Sequence, residues 1–209
     1  KLMKNISKKQ IDECLRPKAW DIGNRTLYKL CEDNFDHSTT AKIVAKTWLI
    51  GRSYSVALER VKEKKYSSDN FYTYRVAPEF KKSNIDHLIN ELKYMEGNFE
   101  NSSKILELHF YLLYMIRNIT NMDKRSFASK YLHFHLPKLF FIYDTRAVSA
   151  LKKIIPVLPL EIKKYSKTLN FDSNYTDFLL RCLYLQKIIA SNHNIVLTPR
   201  EIDNLLLEY

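Results

Sequence analysis

The stretch from Asn121 to Leu151 holds the densest set of side chains whose types and spacing could do chemistry. Its cations are Lys124, Arg125, Lys130, Lys138 and Arg146, and its aromatic and imidazole groups include Tyr131, His133, His135 and Tyr143. Cations at this density are typical of a surface that holds phosphate groups. Asp144 stands directly before a helical pattern, and it is therefore the first candidate for a catalytic group.

Asp144 has two interpretations. As a helix N-cap, its carboxylate would accept backbone N–H bonds and complement the helix dipole. As a functional group beside a basic groove, it would stabilise a developing cation or activate a nucleophile. Both interpretations use the same position at the start of the helix, so the sequence leaves the choice between them open.

Lys130 is the only lysine inside the predicted helix 125–135. It is either a solvated surface residue or a functional group, which would contact a phosphate or serve as an amine nucleophile. His133 and His135 are two positions apart, so a helix points them to different faces and they make a poor pair of metal ligands. The three cysteines show no ligand spacing either, and we predict no metal site.

A second set of candidates, Trp48, Arg52 and Tyr54, lies earlier in the chain. An aromatic ring near an arginine could stack a base that has been turned out of a nucleic-acid helix. The alternative is that Trp48 and Tyr54 pack in the core. The chain has neither a GxGxxG nor a Walker sequence, so it lacks the phosphate-binding loops of nucleotide cofactors, and we predict no cofactor.

The chain carries a formal charge of +11, from 34 basic and 23 acidic residues. This excess favours a polyanionic partner, and nucleic acid is the partner we predict. A lysine-rich, AT-biased genome would produce the same excess without a functional cause. The chain has three cysteines that lie far apart, and an odd number of scattered cysteines is typical of reduced thiols in the cytoplasm. The sequence has no apolar run of about 18 residues, so we predict no membrane-spanning segment and no membrane partner.

Helices must position these side chains. Glycine occurs three times and proline six times, which favours long helices over short strands. Apolar residues at three- and four-residue steps predict helices over 7–15, 24–33, 38–64, 85–95, 102–119, 125–135, 144–155, 175–192 and 199–209. Gly51 marks a close contact or a break in the third helix, Gly97 ends the fourth, and alternation over 71–76 predicts one short strand. The length fits a single helical domain over 1–209, or two lobes of about 1–100 and 101–209.

The segment SFASKYLHFHLPKLFFIYDTRA, residues 126–147, resembles the second half of the helix-hairpin-helix DNA glycosylase module. More narrowly, it is similar to a bacterial group with an 8-oxoguanine glycosylase (OGG) fold, some members of which accompany antiphage defence genes. The segments WLIGRSYSVALERV, residues 48–61, and TPREID, residues 198–203, are similar to that group too.

The resemblance implies an all-α fold with a base pocket between two helical lobes. It makes Asp144 the essential carboxylate. In members of the family that also cleave the strand, a lysine forms a Schiff base with the sugar at the place that Arg125 occupies here. Arginine cannot be that amine because it stays protonated, so the catalytic candidates are Asp144 and Lys130. The family's glycine-rich hairpin is replaced by Asn121–Lys124, so either the phosphate grip uses Lys124 and Arg125 or duplex DNA is not the ligand.

The remaining candidates follow from residue type and position. Phosphates would be held by Lys124, Arg125, Arg146, Lys138 and His133, and a flipped base by Trp48, Arg52, Tyr54 and Tyr143. The first hypothesis is therefore a DNA glycosylase that excises a modified base, in a setting of antiphage defence. The second is a non-catalytic nucleic-acid-binding subunit with the same fold, and the third is a basic helical protein that binds an acidic protein.

Overall fold

The structure is a computed structural model that describes residues 5–60, 68–166 and 171–209. All regular structure in these ranges is helical and none of it is strand, which confirms the predicted all-α fold class. In chain order the elements are α1 (Lys8–Cys14), α2 (Asp21–Asp33), α3 (Thr40–Ser53), α4 (Ser68–Phe71), a π turn (Tyr72–Val76), α5 (Ala77–Lys82), α6 (Ile85–Leu92), α7 (Ser102–Thr120), α8 (Arg125–His135), α9 (Thr145–Ile154), α10 (Leu160–Lys163), a 3-10 turn (Lys164–Ser166), α11 (Ser173–His193) and α12 (Pro199–Glu208). Within the described ranges, no helix combines the length and the apolar character that a membrane crossing requires.

The chain divides into two compact units, each built from separated segments. Unit 1 consists of the described parts of Lys1–Lys18, Met95–Glu107 and Pro137–Tyr209. Unit 2 consists of the described parts of Ala19–Tyr94 and Leu108–Leu136. Helix α7 therefore contributes its first turns to unit 1 and the remainder to unit 2.

Unit 1 is built around α12, which packs against α1 and α9, and α11, which packs against α9, α10 and α12. Four of its helices begin at short polar side chains that accept backbone N–H bonds. These caps are Ser7 for α1, Asp144 for α9, Asp172 for α11 and Thr198 for α12. The helix starts predicted at Ser7, Asp144 and Thr198 are confirmed, because each of these residues can satisfy an amide that the helix leaves without a partner.

Unit 2 is built around α8, which packs against α2 and α3. Helix α8 has the bounds predicted from the sequence, and every residue from Phe127 to His135 is buried. A helix that is buried all round lies inside its unit. The polar side chains on α8 must therefore find hydrogen-bond partners within the protein.

The strand predicted over 71–76 is wrong, because this segment is helical. Tyr72–Val76 forms a π turn that leads into α5. The buried residues recur five positions apart, Phe71 and Val76, then Tyr72 and Ala77, and the Ala77 N–H donates to the Tyr72 carbonyl with the five-residue spacing of a π turn. Tyr74, which the alternation placed on the same face as Tyr72, is exposed.

The helix predicted over 38–64 is shorter in the structure, because α3 ends at Ser53; residues 61–64 lie outside the described residues. The chain turns back at Ser55, which has a left-handed φ of 55°. Gly51 then meets the returning chain, and a Cβ on it would lie 3.2 Å from the Ala57 Cα. Of its two predicted roles, Gly51 has that of a close packing contact.

Gly97 does not end the helix predicted over 85–95, because α6 already ends at Leu92. A Cβ on Gly97 would lie 2.7 Å from the carbonyl oxygen of Lys138. Both residues belong to unit 1, and the contact is closer than any side-chain carbon can approach an oxygen. Glycine at this position lets two separated segments of unit 1 pack together.

Candidate functional site

The predicted site residues are shared between the two units. Unit 2 holds Trp48, Arg52, Tyr54, Lys124, Arg125, Lys130 and His133, and unit 1 holds Lys138, Tyr143, Asp144 and Arg146. The geometry of each set follows from the helices of its own unit.

The connection between α7 and α8 is a four-residue turn, Asn121–Lys124, that joins two helices. Asn121 has a φ of 54° and donates its backbone N–H to the Arg117 carbonyl at 2.7 Å. Glycine is the usual residue in this left-handed position, and asparagine is among the few others that adopt it at low cost. Asn121 thus forms the left-handed turn between α7 and α8 without a glycine.

Side chains stabilise this hairpin on both sides. The Met122 N–H donates to the Thr120 hydroxyl at 3.2 Å, and the Arg117 guanidinium forms an ion pair with Asp123. The buried His109 ring lies near the backbone of Arg125 at the start of α8, and burial lowers the pKa of this histidine to about 3. The His109 ring is therefore neutral at physiological pH, and it packs inside unit 2 below the hairpin.

Lys124, at the start of α8, points toward backbone carbonyls of its own unit. Its ammonium lies 3.3 Å from the Arg60 carbonyl oxygen and 3.5 Å from that of Ala57. Burial lowers the pKa of Lys124, and the nearby Arg60 lowers it further. A phosphate bound by Lys124 would have to replace these carbonyl contacts.

Lys130 is one of the most enclosed lysines of the described chain, with 3% of its surface exposed. Its ammonium donates to the Ser126 hydroxyl at 2.7 Å and lies 5.8 Å from the centroid of the Tyr54 ring. The Tyr54 hydroxyl donates in turn to the Asn24 side chain at 2.7 Å. The interpretation of Lys130 as a solvated surface residue is therefore wrong. Burying an ammonium is costly, and the Ser126 hydroxyl and the Tyr54 ring compensate for part of that cost.

His133 lies on the same helix and is completely buried. Its Nε2 lies 2.5 Å from the Tyr28 hydroxyl. The neighbouring Phe134 packs against Tyr28 and Tyr54, with ring centroids 4.8 and 5.5 Å apart. A phosphate could contact the His133 ring only if the hydrogen bond between His133 and Tyr28 of α2 were broken.

Trp48 and Arg52 lie nearer the surface of unit 2. Trp48 is 43% exposed, so it does not pack in the core and its ring is accessible to a stacking partner. Arg52 is exposed and forms an ion pair with Glu59. Of the three residues of unit 2 that were predicted to hold a base, Tyr54 is the one whose ring lies next to the Lys130 ammonium.

In unit 1, Asp144 is half-buried at the start of α9. Its Oδ1 accepts the backbone N–H of Ala147 at 2.8 Å, so the N-cap interpretation is confirmed as its structural role. Tyr143 packs edge-on against Phe178 at 5.2 Å, and Arg146 donates to the Leu207 carbonyl at 3.0 Å. Lys138 is exposed. The cap fixes one carboxylate oxygen of Asp144, which orients the group for any chemistry at the other.

A buried polar cluster in unit 2, centred on His37, was not predicted from the sequence. The His37 Nδ1 lies 2.5 Å from the Asp86 carboxylate, which also accepts the His37 backbone N–H at 3.0 Å. The His37 Nε2 lies 2.5 Å from the Tyr131 hydroxyl and 3.3 Å from the Lys46 ammonium. Lys46 also donates to the carbonyls of Phe35 and Asp36, at 3.2 and 2.9 Å. We call Asp86, His37, Tyr131 and Lys46 the His37 cluster.

The protons of the His37 cluster can be assigned from its partners. Because a carboxylate only accepts, His37 carries its proton on Nδ1, and its Nε2 accepts the Tyr131 O–H. Burial, and then the charge of Lys46, lower the pKa of His37 to about 4. Burial also lowers the pKa of Lys46 to about 8. At neutral pH the cluster thus holds a neutral imidazole and a mostly charged lysine.

His135 extends the cluster by one turn of α8. Its Nδ1 donates to the Tyr131 carbonyl at 2.8 Å, and its ring stacks on His37 at 5.6 Å. The described residues contain no group of three or more His, Cys, Asp or Glu side chains suited to a metal ion. The cluster is therefore a hydrogen-bonded network of side chains that come from α3, α6, α8 and the α2–α3 loop.

Comparison with known proteins adds no identity. No family model matches the chain, and no curated protein or solved structure matches it.

Proposed function

We propose that the protein is a DNA glycosylase-like enzyme that excises a modified base from DNA. The observation that carries the proposal is the α7–α8 hairpin, in which Asn121 provides the left-handed turn and Lys124 and Arg125 begin the second helix. The next helix along the chain, α9, is capped at its N-terminus by the carboxylate of Asp144. Hairpin and capping aspartate are the features that the resemblance to the glycosylase module requires. The net charge of +11 suits a DNA partner.

In this proposal, Asp144 acts on the sugar of a nucleotide that has left the base stack. Its Oδ1 is held by the Ala147 N–H, and its carboxylate stabilises the cationic sugar that forms as the bond from the sugar to the base breaks. Water then adds to the sugar carbon and releases a proton, and the base departs with a proton in place of the sugar. Lys130 of unit 2 is the alternative catalytic candidate: as an amine it would form a Schiff base with the sugar, a step that would lead to strand cleavage.

A second candidate function is a non-catalytic nucleic-acid-binding subunit with the same fold. The observation that favours it is the engagement of the candidate side chains within the protein. Lys124 contacts two carbonyls, His133 contacts Tyr28, and Lys130 is enclosed. Such a subunit would bind DNA through exposed cations and would release no base.

The substitution Asp144→Asn separates a catalytic from a structural role. Asparagine caps a helix about as well as aspartate does, so the substitution keeps the start of α9 and removes the charge. We expect it to abolish base release from DNAs that carry modified bases, measured by strand breakage after alkali, while DNA affinity stays within about twofold.

The matched control is Asp172→Asn. Asp172 caps α11 in the same unit, where its carboxylate accepts the Asn174 N–H at 3.2 Å. We expect this variant to release base at the wild-type rate. Base release that is equal in both variants would refute the role of Asp144. If the wild-type protein binds DNA with a strong salt dependence and releases no base from any substrate, the non-catalytic function is correct.

A further inference from the structure

Helix α8 is tied to its neighbours by side-chain hydrogen bonds as well as by apolar packing. Tyr131, which is completely buried, donates to His37 in the α2–α3 loop, and His37 donates to Asp86 on α6. Lys46 on α3 holds the loop by its bonds to the carbonyls of Phe35 and Asp36. The hydroxyl of Tyr131 thus gives α8 one fixed point in a frame made from three other parts of unit 2.

Lys130 directly precedes Tyr131 on this helix. Successive residues of an α-helix are separated by about 100° around its axis. A rotation of α8 would therefore move the Lys130 ammonium away from the Tyr54 ring, which lies at the end of α3. The bond of Tyr131 to His37 opposes such a rotation, because it fixes the next residue of the same turn.

We propose that Asp86, His37 and Tyr131 are positioning residues that set the rotation of α8 and so hold Lys130 in its buried place against Tyr54 and Ser126. Asp86 fixes the tautomer and orientation of the His37 ring, so that Nε2 faces Tyr131. The His37 Nε2 accepts the hydrogen bond from the Tyr131 hydroxyl, and this bond holds α8 at one rotation about its axis. The role of this place in catalysis rests on the proposed function, whereas the positioning itself does not.

Tyr131→Phe removes the hydroxyl and keeps the ring, which packs between Phe80, Phe127 and His135. We expect the rate at which an acylating reagent modifies the Lys130 amine, followed by mass spectrometry on the folded full-length protein, to rise about three- to tenfold. This is the change that the loss of one buried hydrogen bond makes in a local opening equilibrium. The thermal unfolding midpoint, measured on the same sample, verifies that the variant is folded.

The matched control is Tyr175→Phe. Tyr175 is equally buried, and its hydroxyl donates to the Phe141 carbonyl at 3.0 Å, but it belongs to unit 1. We expect Lys130 to be modified at the wild-type rate in this variant. An equal rise in both variants, or no rise with Tyr131→Phe, would overturn the proposal.

A second variant avoids the core. Asp86 is 41% exposed, and Asp86→Asn leaves His37 with one of its two acceptors without creating a cavity. We expect a smaller rise in Lys130 modification than with Tyr131→Phe. The control is Asp177→Asn, at a side chain 39% exposed that is paired with Arg181 in unit 1, and it should leave the rate unchanged. Wild-type modification of Lys130 in Asp86→Asn would remove Asp86 from the proposal.

Base release adds a readout that a merely structural role would not move. With DNA at saturation, Tyr131→Phe should slow release about three- to tenfold and leave the dissociation constant for DNA unchanged. If the wild-type protein releases no base but Tyr131→Phe still exposes Lys130, the proposed function fails and the positioning stands. If base release is found and Lys130 modification does not respond, the positioning fails and the proposed function stands.

Discussion

Unit 1 uses its polar side chains at helix ends, where Asp144 and Thr198 accept backbone bonds, whereas unit 2 encloses polar side chains between its helices. All buried histidines and lysines of the described chain lie in unit 2: His37, Lys46, His109, Lys130, His133 and His135. The buried charged side chain that the described part of unit 1 contains is Asp203, which pairs with Arg200 at 3.2 Å.

This difference shows two ways of satisfying a polar group. A cap bonds to an amide two or three residues away, so it tolerates changes elsewhere in the fold. An enclosed network depends on several helices at once, and the removal of one member leaves others without a partner. Unit 2 should therefore be the unit that is more sensitive to pH and to changes in its side chains.

The largest expected effect is that of acid on unit 2. Burial lowers the pKa of His37 from 6.5 to about 4 and that of His109 from 6.5 to about 3. Between these values and 6.5 the unfolded chain binds more protons, so stability is full above pH 6.5 and is lost as the pH falls. At pH 5 the free energy of unfolding should be lower than at pH 7 by about 2 kcal/mol for His37 alone. Denaturant titrations at the two pH values measure the difference.

Hydrogen exchange assigns this acid effect to a unit. Amides of α3 and α8 should lose protection at pH 5 before those of α11 do, after correction for intrinsic exchange rates. Equal losses of protection in α8 and α11 would contradict the expectation that unit 2 is more sensitive to acid than unit 1. A free energy of unfolding that does not change from pH 7 to pH 5 would contradict the neutral, buried state of both histidines.

The next effect tests backbone contacts, with one glycine in each unit. Gly97→Ala in unit 1 should lower the free energy of unfolding by about 1–3 kcal/mol, because its Cβ would lie 2.7 Å from the Lys138 carbonyl oxygen. Gly23→Ala, inside α2 of unit 2, meets nothing within 4 Å and should raise it by about 0.5–1 kcal/mol. Thermal unfolding of both variants tests the pair, and a tolerated Gly97→Ala would disprove the close contact.

Much of the fold could be predicted from local patterns. Helix α8 has its predicted bounds, and the caps at Ser7, Asp144 and Thr198 follow from residue type and the apolar pattern that comes next. The π turn could not be predicted, because Tyr72, Tyr74 and Val76 alternate with polar residues as in a strand, although Tyr74 is exposed in the structure.

The candidate site could be predicted only in part. The sequence singled out Lys130 and Asp144 but could not show that the lysine is enclosed, because this depends on Tyr54 and Asn24 from distant helices. The His37 cluster was missed altogether. Its partners lie 49 residues apart for His37 and Asp86 and 94 apart for His37 and Tyr131, separations at which local patterns carry no information.

The smallest effect compares two asparagines with the same backbone conformation. Asn121 and Asn194 both have a φ of 54°. Each donates its N–H to the carbonyl four residues earlier, at 2.7 Å to Arg117 and 3.0 Å to Ala190. Replacement by alanine should cost about 1 kcal/mol of unfolding free energy at either position, because alanine lacks the short polar side chain whose local hydrogen bonds make the left-handed region accessible to asparagine. Replacement by glycine should cost nothing measurable at either position.

Under the proposed function, DNA binding should distinguish the two positions. Asn121 shapes the hairpin that precedes Lys124 and Arg125, so Asn121→Ala should weaken DNA binding as well as stability, whereas Asn194→Ala at the end of α11 should lower stability alone. Asn121→Gly should restore wild-type affinity, because it keeps the left-handed turn without the asparagine side chain. Affinity that falls equally in Asn121→Ala and Asn194→Ala would mean that stability, and not the hairpin, controls binding. Affinity that falls in Asn121→Gly but not in Asn194→Gly would mean that the amide side chain itself contacts the DNA.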